Sequence, residues 1–239
     1  MFAGLFELLF PRSCCACGAR PAAGPFCGDC SCRLEVPPQW RCPRCGGPIA
    51  LPPALRGLAP GADERPAPCA ACEAAAYDSI RAPFVHGGAA SEAVHRLKYR
   101  GRREIARLLA PLLATAARSC ALAADVIAPI PLHPLRRRER GYDQAALLAR
   151  ALAGCLGLRH DERLLERLRP TTQQVGLDRP ARLRNLEGAF RAAPRAEGRQ
   201  VLLVDDVVTT GATAGAAASA LRDAGAHAVH VIAVARAGF

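Results

Sequence analysis

From Ser79 onward, apolar positions come in two alternating rhythms. Short continuous apolar runs with β-branched residues predict strands at Ser79–Val85, Val126–Leu132, Gln200–Val204 and Ala228–Ala235, and Leu164–Arg169 reads as a further extended segment. Between them, apolar residues at helical spacing predict helices at Ser91–Tyr99, Arg103–Ala123 with Pro111 as a kink, Gln144–Leu156 stopped by Gly157, and Ala212–Ala224. The Arg-rich stretch after Leu132 reads as a turn. Strand–helix alternation of this kind predicts an α/β domain, a mostly parallel sheet with helices on both faces. Before Glu73 neither rhythm appears. Residues 1–72 hold an apolar start, Met1–Phe10, then closely spaced cysteines, and a Pro-, Gly- and Ala-rich loop over Leu51–Pro68. The expected division is therefore residues 1–72 and 73–239.

Composition narrows this reading. With 51% hydrophobic and 22% charged residues over 239 positions, the chain has enough apolar material for a sizeable core. No uncharged apolar run approaches the ~18–20 residues that cross a bilayer. Met1–Phe10 lacks the basic start and small-residue cleavage site of a secretory signal, so a cytoplasmic protein without a membrane span is expected. The formal charge of +11 is carried almost wholly by arginine. It suits phosphorylated ligands, nucleic acid or solubility alike.

Eight of the twelve cysteines form four C-x-x-C pairs: Cys14 and Cys17, Cys27 and Cys30, Cys42 and Cys45, Cys69 and Cys72. Two such pairs supply a tetrahedral S4 shell for Zn²⁺, so about two structural zinc ions are expected. Disulfides are the competing reading, and a reducing cytosol disfavours them. Gly18 and Gly46, each following the second cysteine of a pair, suit a knuckle that turns back with positive φ. Sequential pairing of the four pairs is simplest because each ribbon then closes locally, and a crossed pairing stays open. Cys120 and Cys155 lie in apolar surroundings and read as small buried hydrophobes. Two S4 sites would bring the formal charge to about +7.

The segment Val201–Thr213 carries the most chemistry. An apolar strand delivers Asp205 and Asp206 at its end, then Thr209, Thr210, Gly211, Ala212 and Thr213 open a small-residue helix. Free N–H groups at a helix start, a glycine that permits close approach, and threonine hydroxyls together make a phosphate cradle. The neighbouring carboxylates suit hydroxyls or a hydrated Mg²⁺ beside that phosphate. Lys98 is the one lysine among 32 cations, which points to a need for a compact point charge. The six histidines show no mutual ligand spacing.

The Val201–Thr213 segment resembles the 5-phosphoribosyl-1-pyrophosphate (PRPP) motif of type I phosphoribosyltransferases. With four cysteine pairs in front, the chain resembles the ComF family, a double zinc ribbon before a phosphoribosyltransferase domain, associated with DNA uptake in competent bacteria. Leu97–Gly101, Pro129–Leu132, Arg140–Gln144, and Thr171–Gln174 with Arg182 and Asn185–Phe190 agree with it. The resemblance implies that Asp205 and Asp206 hold the ribose hydroxyls, that Thr209–Thr213 hold the 5′-phosphate, and that Pro131 and Leu132 belong to a pyrophosphate loop. Lys98 and Arg140 would meet PRPP from neighbouring segments. Asp143 departs from the family's Asn and gives up two donors.

The resemblance implies transfer of the phosphoribosyl group to a nitrogen acceptor with loss of pyrophosphate, Mg²⁺ assisting. A second reading makes the same pocket a non-catalytic module for a nucleotide or single-stranded DNA within the uptake machinery. For that module, Arg96, Lys98, Arg100, Arg102, Arg103 and the turn Arg136–Arg140 form the expected basic face.

Overall fold

The computed structural model describes residues 13–19, 24–49, 67–73, 75–169, 186 and 188–238. Met1–Phe10, most of the Leu51–Pro68 loop, Thr171–Gln174, Arg182 and Asn185 lie outside them.

A parallel sheet forms the centre. In chain order its strands are β1 (Ser79–Arg81), β2 (Phe84–Val85), β3 (Val126–Pro129), β4 (Arg159–His160), β7 (Gln200–Val208) and β8 (Ala228–Arg236). The spatial order is β1-β8-β7-β3-β4, with β2 also on β8, and every pairing is parallel. The expected strand at Ser79–Val85 is thus two short ones along the same edge of β8. Two further strands, β5 (Leu165–Arg167) and β6 (Phe190–Ala192), pair antiparallel apart from this sheet.

β7 and β8 are buried almost throughout, which is why they read as unbroken apolar runs rather than alternating ones. Their side chains still sort by parity. Leu202, Val204, Ile232 and Val234 face one core, and Val201, Leu203, Val229 and Val231 the other. The first core is covered by α2 (Gly88–Tyr99), α3 (Ile105–Ser119) and α5 (Gln144–Leu156), and Cys30 of the one-turn α1 (Gly28–Ser31) packs with them. The second is covered by α6 (Ala212–Asp223) and the β5–β6 pair. α3 keeps Pro111 in its middle and buries Ile105, Leu109 and Leu113 at helical spacing.

Two expectations are corrected. The Arg-rich turn after Leu132 is a helix, α4 (Pro134–Arg140). Pro134 sits in its first turn, His133 caps it through Nδ1 to the Leu135 N–H, and Gly141 ends it at φ +78°. It buries nothing, so hydrophobic periodicity had no signal there. Cys155 is exposed on the outer face of α5 and Cys120 is only partly buried, whereas Cys15 is fully buried beside the first cysteine cluster.

The order of the sheet also makes a crevice. β3 feeds helices that return to β4 on one side, while β7 feeds α6 and β8 on the other. The loops after β3 and β7 therefore diverge at adjacent strand ends, the place where open parallel sheets bind ligands.

Candidate active site and metal centres

β7 runs on through Asp205 and Asp206 to Val208, with Asp205 paired to Ala233 and Val207 to Ala235 of β8, so the strand places both acids at the crevice. Successive strand residues face opposite ways, and Asp206 turns towards α2. Its Oδ1 lies 2.6 Å from Lys98 Nζ, and its buried Oδ2 has no hydrogen-bond partner among the described residues. A buried carboxylate oxygen without a donor is costly unless a ligand supplies one, which fits a sugar hydroxyl or a hydrated cation. Asp205 Oδ1 accepts the Asp206 N–H at 2.8 Å. Burial and then the neighbouring Asp206 charge push the Asp205 carboxyl well above the usual carboxylate range. Burial is the largest single influence on the Lys98 ammonium and works against it, but the charge and hydrogen bond of Asp206 together with the charge of Asp205 outweigh it, so that group is held on the high side. Lys98 thus stands at the site but is engaged by the acid.

After Val208 the chain turns through Thr209, exposed, and Thr210, whose Oγ1 accepts the Ala212 N–H at 3.4 Å. Gly211 is the N-cap of α6 with φ +81°, a conformation that disfavours any side chain. A β-carbon at Gly211 would meet Ile80 Cδ1 at 3.3 Å and Tyr77 Oη at 3.4 Å, so it would point into the protein and leave the phosphate side open. The glycine therefore serves the turn itself.

Across the crevice, Pro131 and Leu132 follow β3. The Leu132 N–H donates to Asp143 Oδ2 at 2.8 Å, while Asp143 Oδ1 accepts from Ala145 and Ala146 at the start of α5. Asp143 is buried, and all three of its contacts need an acceptor. Its departure from Asn is thereby explained: a carboxylate staples the loop to the helix where an amide would turn a donor against a donor. That use also occupies the Leu132 amide. Arg140 bonds Gln144 Oε1 at 2.5 Å and lies over the Tyr99 ring at 5.0 Å, next in sequence to Lys98. The Tyr142 hydroxyl donates to the Leu97 carbonyl, fastening the segment that leads into α5 to α2.

Sequence reading passed over Arg167 and His86. Arg167, at the end of β5, stacks over Phe190 at 5.4 Å; burial holds its guanidinium on the low side, and the charges of Asp205 and Asp143 act against that. His86, just before α2, is lowered by burial and by Lys98. Both sit on elements with no motif of their own, so only the fold shows them at the pocket.

The four cysteine pairs assemble sequentially, as Cys14, Cys17, Cys27 and Cys30, and as Cys42, Cys45, Cys69 and Cys72; within each set the sulfurs lie within 4.8 Å of one another. A tetrahedron with Zn–S bonds of about 2.3 Å has edges of about 3.8 Å. Cys17–Cys27, Cys42–Cys72 and Cys45–Cys69 stand at 3.7, 3.8 and 3.7 Å, and Cys69–Cys72 is closer at 3.2 Å. Gly18 and Gly46 turn the knuckles at φ +87° and +64°. Burial alone would raise the Cys42 thiol, but N–H groups of Cys45, Cys69 and Arg44 bring it down to about 6; burial pushes Cys30 up to about 12. Both tetrads can hold zinc. Arg236, 6% exposed, strengthens the fit of the second: Nε and Nη1 have no hydrogen-bond partner among the described residues, and the guanidinium lies against Gly47 and near Cys45. A doubly negative tetrathiolate centre supplies the countercharge that buried cation needs.

The expected basic face is largely spoken for. Arg96 donates to the carbonyls of Cys14, Cys15 and Ala16, Lys98 pairs with Asp206, Arg102 with Glu104, and Arg103 lies over Tyr142. Of the α4 arginines, Arg136 pairs with Glu139 of the same helix and Arg137 with Glu162 beyond β4. Among the described residues no helix is long and apolar enough to cross a membrane.

Residues 141–238 match the family model for the phosphoribosyl transferase domain. The chain is 36% identical over 233 residues to DNA utilization protein YhgH of Salmonella typhimurium, covering 94% of this chain and 96% of that one. It is 28% identical to Competence protein F of Haemophilus influenzae, covering 94% and 90%, and 29% identical to Competence protein ComFC of Bacillus subtilis, covering 83% and 78%. Among solved structures it resembles the glutamine PRPP amidotransferase of B. subtilis, with 23% identity, a TM-score of 0.41, and coverage of 58% of this chain and 30% of that one.

Proposed function

The chain belongs to the ComF family, and on that premise we propose that residues 73–239 bind PRPP with Mg²⁺ and transfer its phosphoribosyl group to a nitrogen acceptor, in the service of DNA uptake. Residues 1–72 are the zinc-binding part. The observation that carries this reading is the sequence of groups at the crevice: a rigid acid pair with one unsatisfied carboxylate oxygen, followed by a Gly-turned helix start.

Asp205 and Asp206 accept the ribose hydroxyls, and the amides and hydroxyls of Thr209, Thr210, Ala212 and Thr213 hold the 5′-phosphate at the N-terminus of α6. In the transfer, the bond from C1′ to the pyrophosphate oxygen breaks with its electron pair leaving on oxygen, and a bond from C1′ to the acceptor nitrogen forms. The ring passes through oxocarbenium character, so fixing the ribose and dispersing charge on pyrophosphate matter more than a strong base. Mg²⁺, when bound, supplies part of that dispersal. Lys98 and Arg140, on the rim around Tyr99, supply the rest, Lys98 by passing from Asp206 to the ligand as the acid takes up a hydroxyl. Pro131 and Leu132 shape the pyrophosphate side.

A non-catalytic DNA module is the weaker reading, because most of the arginines it needs already hold protein partners. The test is calorimetric titration with PRPP and Mg²⁺, followed by a screen of nitrogenous acceptors for pyrophosphate release. Saturable binding and release with one acceptor class support the proposal. Binding without release for any acceptor would reduce it to a PRPP-binding module.

A further inference from the structure

The second cysteine tetrad and the loop Thr209–Thr213 are separated by a single layer of side chains. Tyr77, 2% exposed, places its hydroxyl 3.8 Å from Cys72 Sγ, and the same oxygen is 3.4 Å from the β-carbon position of Gly211. Ile80 continues the layer, with Cδ1 3.3 Å from that position. The cysteine knuckle grips the backbone carrying both residues. Arg44, between Cys42 and Cys45, donates Nε to the Tyr77 carbonyl at 3.0 Å and Nη2 to the Ala75 carbonyl at 2.5 Å, and its own carbonyl accepts the Ile80 N–H at 2.7 Å. A second connection runs through the sheet: Arg236, against Gly47, is the strand partner of Val208, the residue before Thr209.

The first tetrad is connected elsewhere. Arg96 ties its knuckle to α2, and Arg33 bonds both Cys30 Sγ and Glu92 of the same helix. The two centres therefore stand behind different parts of the pocket, one behind α2 and the other behind the loop after β7.

We infer that the Cys42, Cys45, Cys69 and Cys72 centre is the back wall of the phosphate loop, and that Tyr77 is the positioning residue between them. The role in phosphate affinity rests on the proposed function above, whereas the mechanical coupling does not. A knuckle held by its ion keeps Tyr77 and Ile80 pressed on Gly211, so that the positive-φ turn and the N–H groups after it stay aimed at the ligand.

The test uses the full zinc-loaded protein with Tyr77→Ala and the milder Ile80→Val, which removes the contacting Cδ1 alone. Zinc per chain, hydrogen exchange of peptides covering 209–213, and titration with ribose 5-phosphate are measured together. The expected result is two zinc ions per chain, exchange at least about tenfold faster in 209–213 for Tyr77→Ala with β3 and α5 unchanged, and a parallel loss of ribose 5-phosphate affinity. Ile80→Val shows a smaller shift in the same peptides. Unchanged exchange at 209–213 in a folded Tyr77→Ala, or in Ile80→Val where Tyr77→Ala fails to fold, overturns the coupling. Faster exchange in a protein whose wild type never binds ribose 5-phosphate supports the coupling and overturns the phosphate assignment instead.

Discussion

Asp143 shows how one carboxylate settles local structure and the shape of a site together. It accepts three backbone N–H groups in a buried position, two at the start of α5 and one from Leu132. Asp143→Asn is expected to cost about 1–2 kcal/mol, because one of its two acceptor atoms becomes a donor facing a donor. Urea denaturation checks this, and an unchanged midpoint would contradict it. At Asp205 the outcome concerns pH. A carboxyl raised by burial and by Asp206 keeps its proton to higher pH than an ordinary one. Ribose binding needs the acceptor form, so PRPP affinity falls on acidification already at a pH above the usual carboxylate range near 4. The same shift disfavours the ionised folded state, so Asp205→Asn is expected to be no less stable than wild type at high pH. An affinity flat down to about pH 5 would contradict the assignment. Asp205, Asp206 and the cysteines were legible because their chemistry is written in adjacent positions. Asp143 was legible only as an exception, since its three partners are backbone groups brought in by folding.

Elements were legible where burial is periodic. α5 ends where its pattern ends, with Asp143 and Gly157 as caps, and β7 and β8 declare themselves by unbroken apolar runs. α4 was not, because an exposed helix of arginines has no apolar face to read. β7 runs past the expected end at Val204 for a related reason: the strand continues through the two acids to Val208, where the unbroken apolar run that announces it has already stopped. The turn into α6 leads to a graded outcome. Gly211→Ala places a side chain at φ +81° and costs about 1–2 kcal/mol, whereas Gly211→Val adds branching against Ile80 and costs more. Both weaken ribose 5-phosphate binding through the turn, valine at least about tenfold by calorimetry. Equal binding in both variants and wild type would place the phosphate elsewhere.

At the scale of the molecule, the two tetrads lie on opposite faces of one sheet and share its cores. Cys14, Cys15 and Cys30 pack with α2, α3 and α5, and Cys42, Cys45 and Cys72 with α6 and Tyr77. The cysteine spacing announced two centres. Their docking was not legible, because it runs through Arg33, Arg96 and Arg236, which a chain crowded with arginine does not distinguish. Cys42→Ser is therefore expected to cost roughly 3 kcal/mol or more and one zinc ion per chain, while Cys32→Ser, exposed and outside both tetrads, changes neither. Elemental analysis with thermal denaturation checks both, and equal effects would contradict the pairing. The central claim is that the acid pair and the loop after it receive PRPP. Titration of zinc-loaded protein with PRPP and Mg²⁺ is expected to give one saturable site, and Asp205→Asn with Asp206→Asn to abolish it while zinc content and cooperative unfolding are retained, the melting temperature falling only by the loss of the Lys98–Asp206 ion pair. Undiminished affinity in the folded double variant, or no binding by the wild type, would contradict it.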